Sequence, residues 1–236
     1  MIAVAIDGPA GAGKSSVARR VAAELGFLYV DTGALYRSIA LHMLRCGVDL
    51  SDAAAVTAEL HNIQLSLVLE RGEQRVVLSG EDVSDLIRSQ EVSQAASRVA
   101  EMAQVRDFLL QLQRDTARKQ NVLMDGRDIG TVVLPDAQVK IFLTATAQER
   151  ALRRFKQLQE RGEIASFEAI LREIQERDLR DENREIAPLR PAEDAVILDT
   201  TGMDLKDVLS KLKKMIMKKL EEIHDWFMEC SCCINR

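Results

Sequence analysis

An α/β fold built on a parallel sheet is predicted by two features of the 236-residue sequence. Five short apolar runs have the length and composition of buried strands, and they alternate with segments whose apolar residues show helical spacing. Strands that alternate with helices usually pair in parallel and bind ligands at their carboxyl ends. The five predicted strands are residues 2–6, 27–30, 121–125, 138–143 and 195–198.

The first helices are bounded by residues that typically begin or end helices. Gly26 ends the first helix, and Asp31 or Thr32 could cap the second. Residues 50–60 are predicted to form a short helix with Ser51 as its cap. The chain therefore alternates strand and helix from its first residues.

Two stretches interrupt this alternation. Residues 63–69 and 76–78 alternate apolar and polar side chains, which predicts a β-hairpin, and a third extended piece is expected at 81–83. Residues 147–185 are dense in charge, and Gly162 divides them into two helical patterns. Both stretches are predicted to be appendages on the parallel core.

Composition limits the kinds of partner. The chain has 32 basic and 37 acidic residues, a net charge of −5, so no basic field indicates nucleic acid or a membrane surface. No apolar run approaches the roughly 20 residues that a membrane span needs, and no signal peptide is expected before the first strand. Cys46 stands alone in the body of the chain, which makes a reducing cytoplasm the expected location.

The connection between the first strand and the first helix fits the phosphate-binding pattern G-x-x-x-x-G-K-[ST]. Its glycines let successive backbone N–H groups turn inward around a phosphate, and the helix adds the positive end of its dipole. Lys14 is predicted to bridge the β- and γ-phosphates, and the Ser15 hydroxyl to bind Mg²⁺. The predicted ATP-binding residues here are Gly8, Pro9, Ala10, Gly11, Ala12, Gly13, Lys14, Ser15 and Ser16.

A carboxylate at the end of the third predicted strand is the second candidate feature. After a phosphate-binding loop, Asp125 fits the role of a residue that holds Mg²⁺ directly or through water. Arg127 and Asp128 follow it. Arg127 could bind a phosphate or form a structural salt bridge, and the sequence alone leaves both open.

Arginines are concentrated between residues 150 and 190. Phosphoryl transfer needs positive charge around the transferred group, although such a run is more often a solvated helix face. Arg177, Asp181 and Arg184 have the spacing i, i+4 and i+7, which predicts one side of a helix. Two arginines beside one carboxylate could bind a phosphate and a sugar hydroxyl together. The N-K-x-D motif that reads guanine does not occur, which argues against a GTPase.

Over about residues 1–215 the chain resembles the bacterial-type cytidylate kinases, which are P-loop nucleoside monophosphate kinases. The matching stretches are IDGPAGAGKSS, DTGALYR, VVLSGEDVSDLIRSQEVSQAAS, MDGRDIGTVVLPDAQVKIFL and ERDLRDENREIAPL. The resemblance implies a five-stranded parallel P-loop sheet flanked by helices, an antiparallel β insert in the monophosphate-binding domain and a helical lid. It also implies transfer of a phosphoryl group from ATP to CMP or dCMP, with Mg²⁺ as cofactor.

The resemblance also implies a division of the chain into one core and two appended regions, and the length of the β insert favours a monomer. The expected core is 1–35, 119–150 and 186–225, the monophosphate-binding region is 36–118 with its β insert at about 62–88, and the lid with substrate-binding helices is 151–185. Residues 226–236 are expected to be a flexible tail.

Residue roles follow from the same resemblance, position by position. It assigns the cytosine ring to Ser97, Arg106 and Asp128, the sugar hydroxyls to Arg177 and Asp181, and the acceptor or transferred phosphate to Thr32, Arg37, Arg127 and Arg184. Arg153 and Arg154 would close over the triphosphate, Ser15 and Asp125 would hold the metal, and Lys14, Asp125, Arg127 and Arg184 would carry catalysis. The cytosine assignment is chemically reasonable, because a carboxylate complements the N4 donor of the base.

Two other functions remain possible on the sequence alone. The first is a related small-molecule kinase that acts on UMP or another acceptor. The second is a nucleotide-dependent switch that no longer transfers phosphate, and the presence of Lys14, Ser15 and Asp125 argues against it.

The end of the chain, Asp225 to Cys233, does not match the family pattern. From Asp204 onward, apolar residues at helical spacing and a lysine-rich polar face predict a helix packed on the sheet. Cys230, Cys232 and Cys233 could bind a metal, but an oxidation-prone, dispensable tail is the preferred interpretation.

Overall fold

The structure, a computed structural model, describes the backbone of residues 1–70 and 73–234, and it describes side chains there except at Leu69, Glu73 and 223–234. Within these residues the strands are β1 (Ala3–Asp7), β2 (Leu28–Asp31), β3 (Leu65–Glu70), β4 (Glu73–Leu78), β5 (Glu81–Asp82), β6 (Val122–Gly126), β7 (Val139–Thr144) and β8 (Val196–Asp199). The α-helices are α1 (Lys14–Leu25), α2 (Thr32–Arg45), α3 (Ala53–Leu60), α4 (Gln90–Val99), α5 (Ala103–Lys119), α6 (Ala147–Glu160), α7 (Phe167–Asn183) and α8 (Leu205–Ile234). The chain also forms a 3₁₀ turn at Leu86–Arg88 and a π-helical turn at Ile129–Val133.

The five predicted core strands form one parallel sheet in the order β2-β6-β1-β7-β8. Successive side chains of β1 point to opposite faces. Val4 and Ile6 pack in the cluster that contains residues of α1 and α8, whereas Ala5 packs with Met124 and the π-helical turn on the other face. Helices therefore cover both faces, as an all-parallel sheet requires, and the predicted fold class is confirmed.

Three carboxylates meet where β1, β2 and β6 end. Asp125 in β6 pairs in register with Asp31 in β2 and with Ile6 in β1, and Asp7 follows Ile6 directly. Asp7 and Asp125 are 4% and 3% exposed, so both carboxylates lie inside the protein. Ligands bind at this edge of parallel sheets.

The predicted hairpin is confirmed as a separate antiparallel sheet with the order β3-β4-β5. Val76 and Leu78 of β4 join a buried cluster with Leu35 and Ile39 of α2. The cluster anchors this sheet on the helix that follows β2. A hydrogen bond from the backbone N–H of Asp31 to Gln74 Oε1, 2.8 Å long, also ties β4 to the carboxyl end of β2.

Two local predictions were wrong. Helix α3 is capped by Asp52, whose Oδ1 accepts hydrogen bonds from the N–H groups of Ala54 and Ala55, and Ser51 instead bonds to Asp49. Serine and aspartate both favour this position, so residue type alone does not choose between Ser51 and Asp52. Asp52 is the cap because its extended backbone directly precedes the first helical residue. Helix α7 ends at Asn183, and Arg184 follows it with an extended backbone. Arg184 is therefore not on the helix face that Arg177 and Asp181 share.

The predicted C-terminal helix is present as α8. Val208, Leu212 and Ile216 pack with α1 and with the sheet strands. The side chains of the cysteine-rich tail lie outside the described residues, so its flexibility and the possible metal site there stay predictions. Among the described residues, no helix is long and apolar enough to cross a membrane.

Candidate active site

The loop between β1 and α1 lies tightly against the sheet. A Cβ atom at Gly8 would lie 1.9 Å from the backbone oxygen of Leu143 in β7, so no other residue fits there without a shift of the backbone. Gly13, with a φ of 87°, precedes Lys14 and makes no side-chain cap for α1. The backbone N–H groups of the first turn are of the kind that bind phosphate at helix N-termini.

Lys14 lies inside this loop. Its Nζ donates hydrogen bonds of 2.8 Å to the backbone oxygens of Gly8 and Pro9. Burial, together with the nearby Arg127 guanidinium, lowers the pKa of Lys14 to about 7. A phosphate beside Nζ would favour the charged form and raise the pKa again.

Asp125 is held by three neighbouring side chains. Ser15 Oγ donates to Oδ2 over 2.8 Å, Tyr29 OH donates to Oδ1 over 2.9 Å, and Thr32 Oγ1 donates to the backbone oxygen of Asp125. Burial raises the pKa of Asp125 to about 6, and the Asp31 carboxylate adds to the rise. Hydroxyl and carboxylate oxygens are the donors that Mg²⁺ prefers, so Ser15 and Asp125 fit such an ion.

Arginines approach two carboxylates of the site, Asp181 and Asp31. Arg127, which follows β6, donates through Nε to Asp181 Oδ2 in α7 over 2.9 Å, and Arg37 Nη2 in α2 bonds to Asp31 over 2.8 Å. Burial alone would raise the pKa of Asp181, but the guanidinium groups of Arg127, Arg177 and Arg184 lower it below its usual value. The three residues predicted at one site, Arg177, Asp181 and Arg184, are therefore close together.

Several guanidinium nitrogens in this group have no hydrogen-bond partner among the described residues. Arg37 Nε, Arg177 Nε and Arg184 Nη2 are buried and have no hydrogen bond among the described residues. Burial lowers the pKa of Arg177 to about 10, and Arg127 adds to the effect. Unpaired buried donors cost free energy, and an anion such as a phosphate group would satisfy them.

A buried ion cluster joins Arg106, Asp128 and Arg184. Arg106 Nη2 donates to Asp128 Oδ2, and Arg184 Nη2 lies 3.4 Å from Asp128 Oδ1. The Asp128 side chain is 6% exposed, and its Oδ1 accepts no hydrogen bond from the described residues. This oxygen can accept a hydrogen bond from an amino group.

The structure does not join all the predicted residues. Ser97 Oγ bonds to the backbone oxygen of Ser93 within α4, and no polar contact links it to Arg106 or Asp128 among the described residues. Arg153 binds the backbone oxygen of Thr200 after β8 over 2.7 Å and reaches Ala12 O in the glycine loop at 3.5 Å. Arg154 is exposed. The roles of Ser97, Arg153 and Arg154 stay predictions.

Sequence reasoning missed Asp7. Its carboxylate accepts hydrogen bonds of 2.7 Å from the backbone N–H groups of Ile129 and Gly130, and this fixes the start of the turn that follows Asp128. Burial raises the pKa of Asp7 to about 6. The rule that drew attention to Asp125, an acidic residue at the end of an apolar strand, applies equally to Asp7.

Sequence reasoning also missed the buried Arg150 in α6. Its guanidinium bonds to both carboxylate oxygens of Asp178 in α7, at 3.0 and 2.5 Å, and to Ala10 O in the glycine loop at 2.9 Å. Arg150 therefore connects both helices of the charge-dense stretch to the loop. No local pattern marked it among the many arginines of this stretch.

A glycine loop with a buried lysine, at the carboxyl edge of a parallel sheet and beside a strand-end carboxylate, defines a P-loop protein that binds nucleotide phosphates. Sequence comparison agrees, since residues 4–218 match the profile of the cytidylate kinase family. The chain is 49% identical to the cytidylate kinase of Mannheimia succiniciproducens over 220 residues, 93% of this chain and 98% of that protein. It is 46% identical to the cytidylate kinase of Caldicellulosiruptor saccharolyticus over 217 residues, 92% of this chain and 96% of that protein.

The chain belongs to the cytidylate kinase family. It is therefore a nucleotide-binding phosphotransferase of the nucleoside monophosphate kinase type, with ATP as phosphoryl donor and a divalent metal ion as the usual cofactor. The resemblance found in the sequence motifs is confirmed.

Proposed function

We propose that the protein transfers the γ-phosphoryl group of ATP to CMP or dCMP, giving ADP and CDP or dCDP. The observation that carries the choice of acceptor is the Asp128 carboxylate, buried against Arg106 with Oδ1 free of hydrogen bonds from described residues. Cytosine presents an amino donor at N4, which Oδ1 could accept, and acceptors at O2 and N3, which Arg106 or the Ser97 hydroxyl could satisfy. Uracil would place its O4 acceptor opposite the carboxylate oxygen, so two buried acceptors would face each other without a hydrogen bond.

The remaining substrate contacts are proposed for groups around the Asp181 carboxylate. Arg177 and Asp181 would hold the sugar hydroxyls. Thr32, Arg37, Arg127 and Arg184 would bind the acceptor or transferred phosphate. Buried Arg37 Nε and Arg184 Nη2 accord with this assignment, since neither has a hydrogen-bond partner among the described residues.

The donor would lie in the glycine loop. Lys14 and the backbone N–H groups of residues 8–16 would bind the phosphates of ATP, and Arg153 and Arg154 would approach them from α6. Ser15 and Asp125 would hold Mg²⁺, supported by their 2.8 Å contact and all-oxygen chemistry. When bound there, Mg²⁺ would supply positive charge that neutralises part of the charge of the phosphates.

The chain then has to position two phosphates and stabilise charge. The attacking oxygen belongs to a phosphate that is already ionised near neutral pH, so no general base is needed. Lys14 and the arginines would stabilise the charge of the transferred group in an in-line arrangement.

The proposal includes the predicted division into core, monophosphate-binding region and lid, with a monomeric, cytoplasmic protein and no nucleic acid or membrane partner. Helices α6 and α7 have their own apolar cluster, formed by Ala151, Leu158, Ile170 and Ile174. A separate cluster supports their movement as a unit, and closure of such a lid would keep water from the phosphates.

A coupled ADP-release assay with Mg-ATP tests the acceptor. We expect rapid turnover of CMP and dCMP, with UMP at least about 100-fold lower in kcat/KM, because uracil cannot donate to Asp128. AMP and GMP serve as purine controls at the same concentration. Turnover that favours UMP would leave a kinase with a different base site, and no turnover with any acceptor would favour the nucleotide-dependent switch.

The low pKa of Lys14 predicts a pH effect on ATP use. In the free enzyme Lys14 loses its charge as pH rises through about 7, so kcat/KM for ATP should fall above that pH. The value of kcat should persist to higher pH, because bound phosphates keep Lys14 charged. Both profiles are measured from about pH 6 to 9, where an arginine stays charged. A Lys14→Arg variant should lack the alkaline fall in kcat/KM, and the same fall in both proteins would contradict the assignment.

A further inference from the structure

A histidine, a cysteine and a glutamate meet at the surface, outside the candidate active site. His42 lies in the last turn of α2, Cys46 follows one turn later as the residue that ends this helix, and Glu59 lies in α3. His42 Nε2 is 2.7 Å from Glu59 Oε1. Cys46 Sγ is 3.6 Å from that nitrogen and 3.8 Å from that oxygen.

These distances are close to those between the ligands of a tetrahedral zinc ion. With Zn–S near 2.3 Å and Zn–N or Zn–O near 2.0 Å, two ligand atoms are about 3.3–3.6 Å apart. Both distances from the sulfur already approach this range. Only the hydrogen-bonded pair of His42 and Glu59 would need to separate, by about 0.6 Å, as metal bonds replace the hydrogen bond.

The surroundings favour ligand positions for all three side chains. Asn62 Nδ2 donates to Glu59 Oε2 over 3.1 Å, which orients the carboxylate with Oε1 toward His42 and Cys46. The spacing of four residues places His42 and Cys46 on one face of α2. The side chains of His42 and Glu59 are 15% and 23% exposed, and Cys46 is exposed, so an ion can enter from solvent.

We propose that His42, Cys46 and Glu59 bind one zinc ion, with water as the fourth ligand. The bound ion would link the end of α2 to α3. Thiolate and imidazole select zinc over magnesium, which prefers oxygen ligands alone. The metal of phosphoryl transfer would therefore not compete for this site. Binding forms a Zn–S bond, and the thiol proton of Cys46 is released to the buffer.

Zinc titration of the full chain against a chromophoric chelator tests the proposal. Because the C-terminal thiols could also bind zinc, the reference protein carries Cys230→Ser, Cys232→Ser and Cys233→Ser. Adding Cys46→Ser to this reference should weaken zinc binding more than ten-fold, since even outer-shell changes at zinc sites cost about 10- to 100-fold. His42→Asn should weaken it similarly, whereas His61→Asn, at the exposed end of α3, should leave it unchanged.

Cobalt provides a second measurement that does not depend on enzyme activity. The reference protein with one equivalent of Co²⁺ should show a thiolate-to-cobalt charge-transfer band, and Cys46→Ser should remove it. Zinc should also raise the Tm of the reference protein and not that of the Cys46→Ser protein. Zinc binding that disappears in the reference protein would assign the metal to the tail and overturn the proposal. Equal affinity with and without Cys46 would overturn it as well.

Discussion

Replacing Arg184 by alanine is expected to lower kcat with CMP by about 10²–10³-fold, with the Kd for ATP nearly unchanged. Arg184 lies next to Asp128 and affects the charge state of Asp181, and its Nη2 is buried without a hydrogen-bond partner among the described residues. A guanidinium in this position can stabilise charge on the transferred phosphoryl group. Its loss therefore acts on the transition state more than on binding of the donor.

The structure supplies a matched control on the same segment. Arg180 is exposed in α7, four residues before Arg184, and Arg180→Ala removes an equal charge from solvent. We expect its kcat to stay within about two-fold of the parent, because substitutions of exposed side chains usually have small effects. Arg184→Lys keeps the charge and loses the planar pair of donors, so its activity should lie between those of the parent and the alanine variant.

Folding and chemistry can be separated in this test. Arg184 Nε also donates to the backbone oxygen of Ala187, whose φ of 50° lies in the left-handed region. Some loss of Tm is therefore expected in Arg184→Ala. ATP affinity from isothermal calorimetry, measured well below the Tm, reports on the intact P-loop. An unchanged kcat in a folded variant would contradict the assigned role, and a matching loss of ATP affinity would make the defect structural.

The elements that the sequence predicts well are those set by local patterns. The apolar runs that end at Asp7, Asp31 and Asp125 are buried strands bounded by turn residues, and each strand lies within a residue or two of its expected bounds. The glycine loop was predictable for the same reason, because its spacing and its place between strand and helix are visible in the chain.

Contacts between distant elements could not be predicted in this way. Arg150 pairs with Asp178, 28 residues further along the chain, and the pairing depends on how α6 packs on α7. The contact of His42 with Glu59 depends in the same way on α3 folding back beside α2. Charged residues are frequent in α6 and α7, so periodicity alone offers many equivalent partners there. Packing of the apolar faces selects one of them.

Replacing Asp128 by asparagine is expected to have two separate effects, one on stability and one on acceptor choice. Asp128 is the carboxylate between Arg106 and Arg184, and its side chain and those of both arginines are at most 7% exposed. Asparagine has almost the same shape, but it leaves two buried guanidinium groups without a counter-charge. Removing one partner of a buried ion pair typically costs about 3–5 kcal/mol. For a chain of this size that corresponds to a fall in Tm of roughly 10 °C, measured by scanning calorimetry.

Acceptor choice should change in a way that instability cannot produce. The asparagine amide can accept from cytosine N4 through its oxygen or, after a flip, donate to uracil O4 through its nitrogen. We therefore expect kcat/KM for CMP to fall by about 100-fold or more, while kcat/KM for UMP falls much less or rises. Both are measured by ADP release well below the lowered Tm.

The ratio of kcat/KM for CMP to kcat/KM for UMP distinguishes a structural role of Asp128 from a role in reading the base. If this carboxylate only held Arg106 and Arg184 in place, the kcat/KM values for CMP and for UMP would fall by the same factor. Their ratio would then stay constant. Asp136→Asn makes the same chemical change at an exposed position and should leave both the Tm and the ratio unchanged. A lower Tm with a constant ratio would restrict Asp128 to a structural role. The base would then be expected in the neighbouring cleft that Tyr36, Leu110 and Val132 line. A lower CMP-to-UMP ratio in the Asp128→Asn variant would identify Asp128 as the residue that reads the N4 amino group.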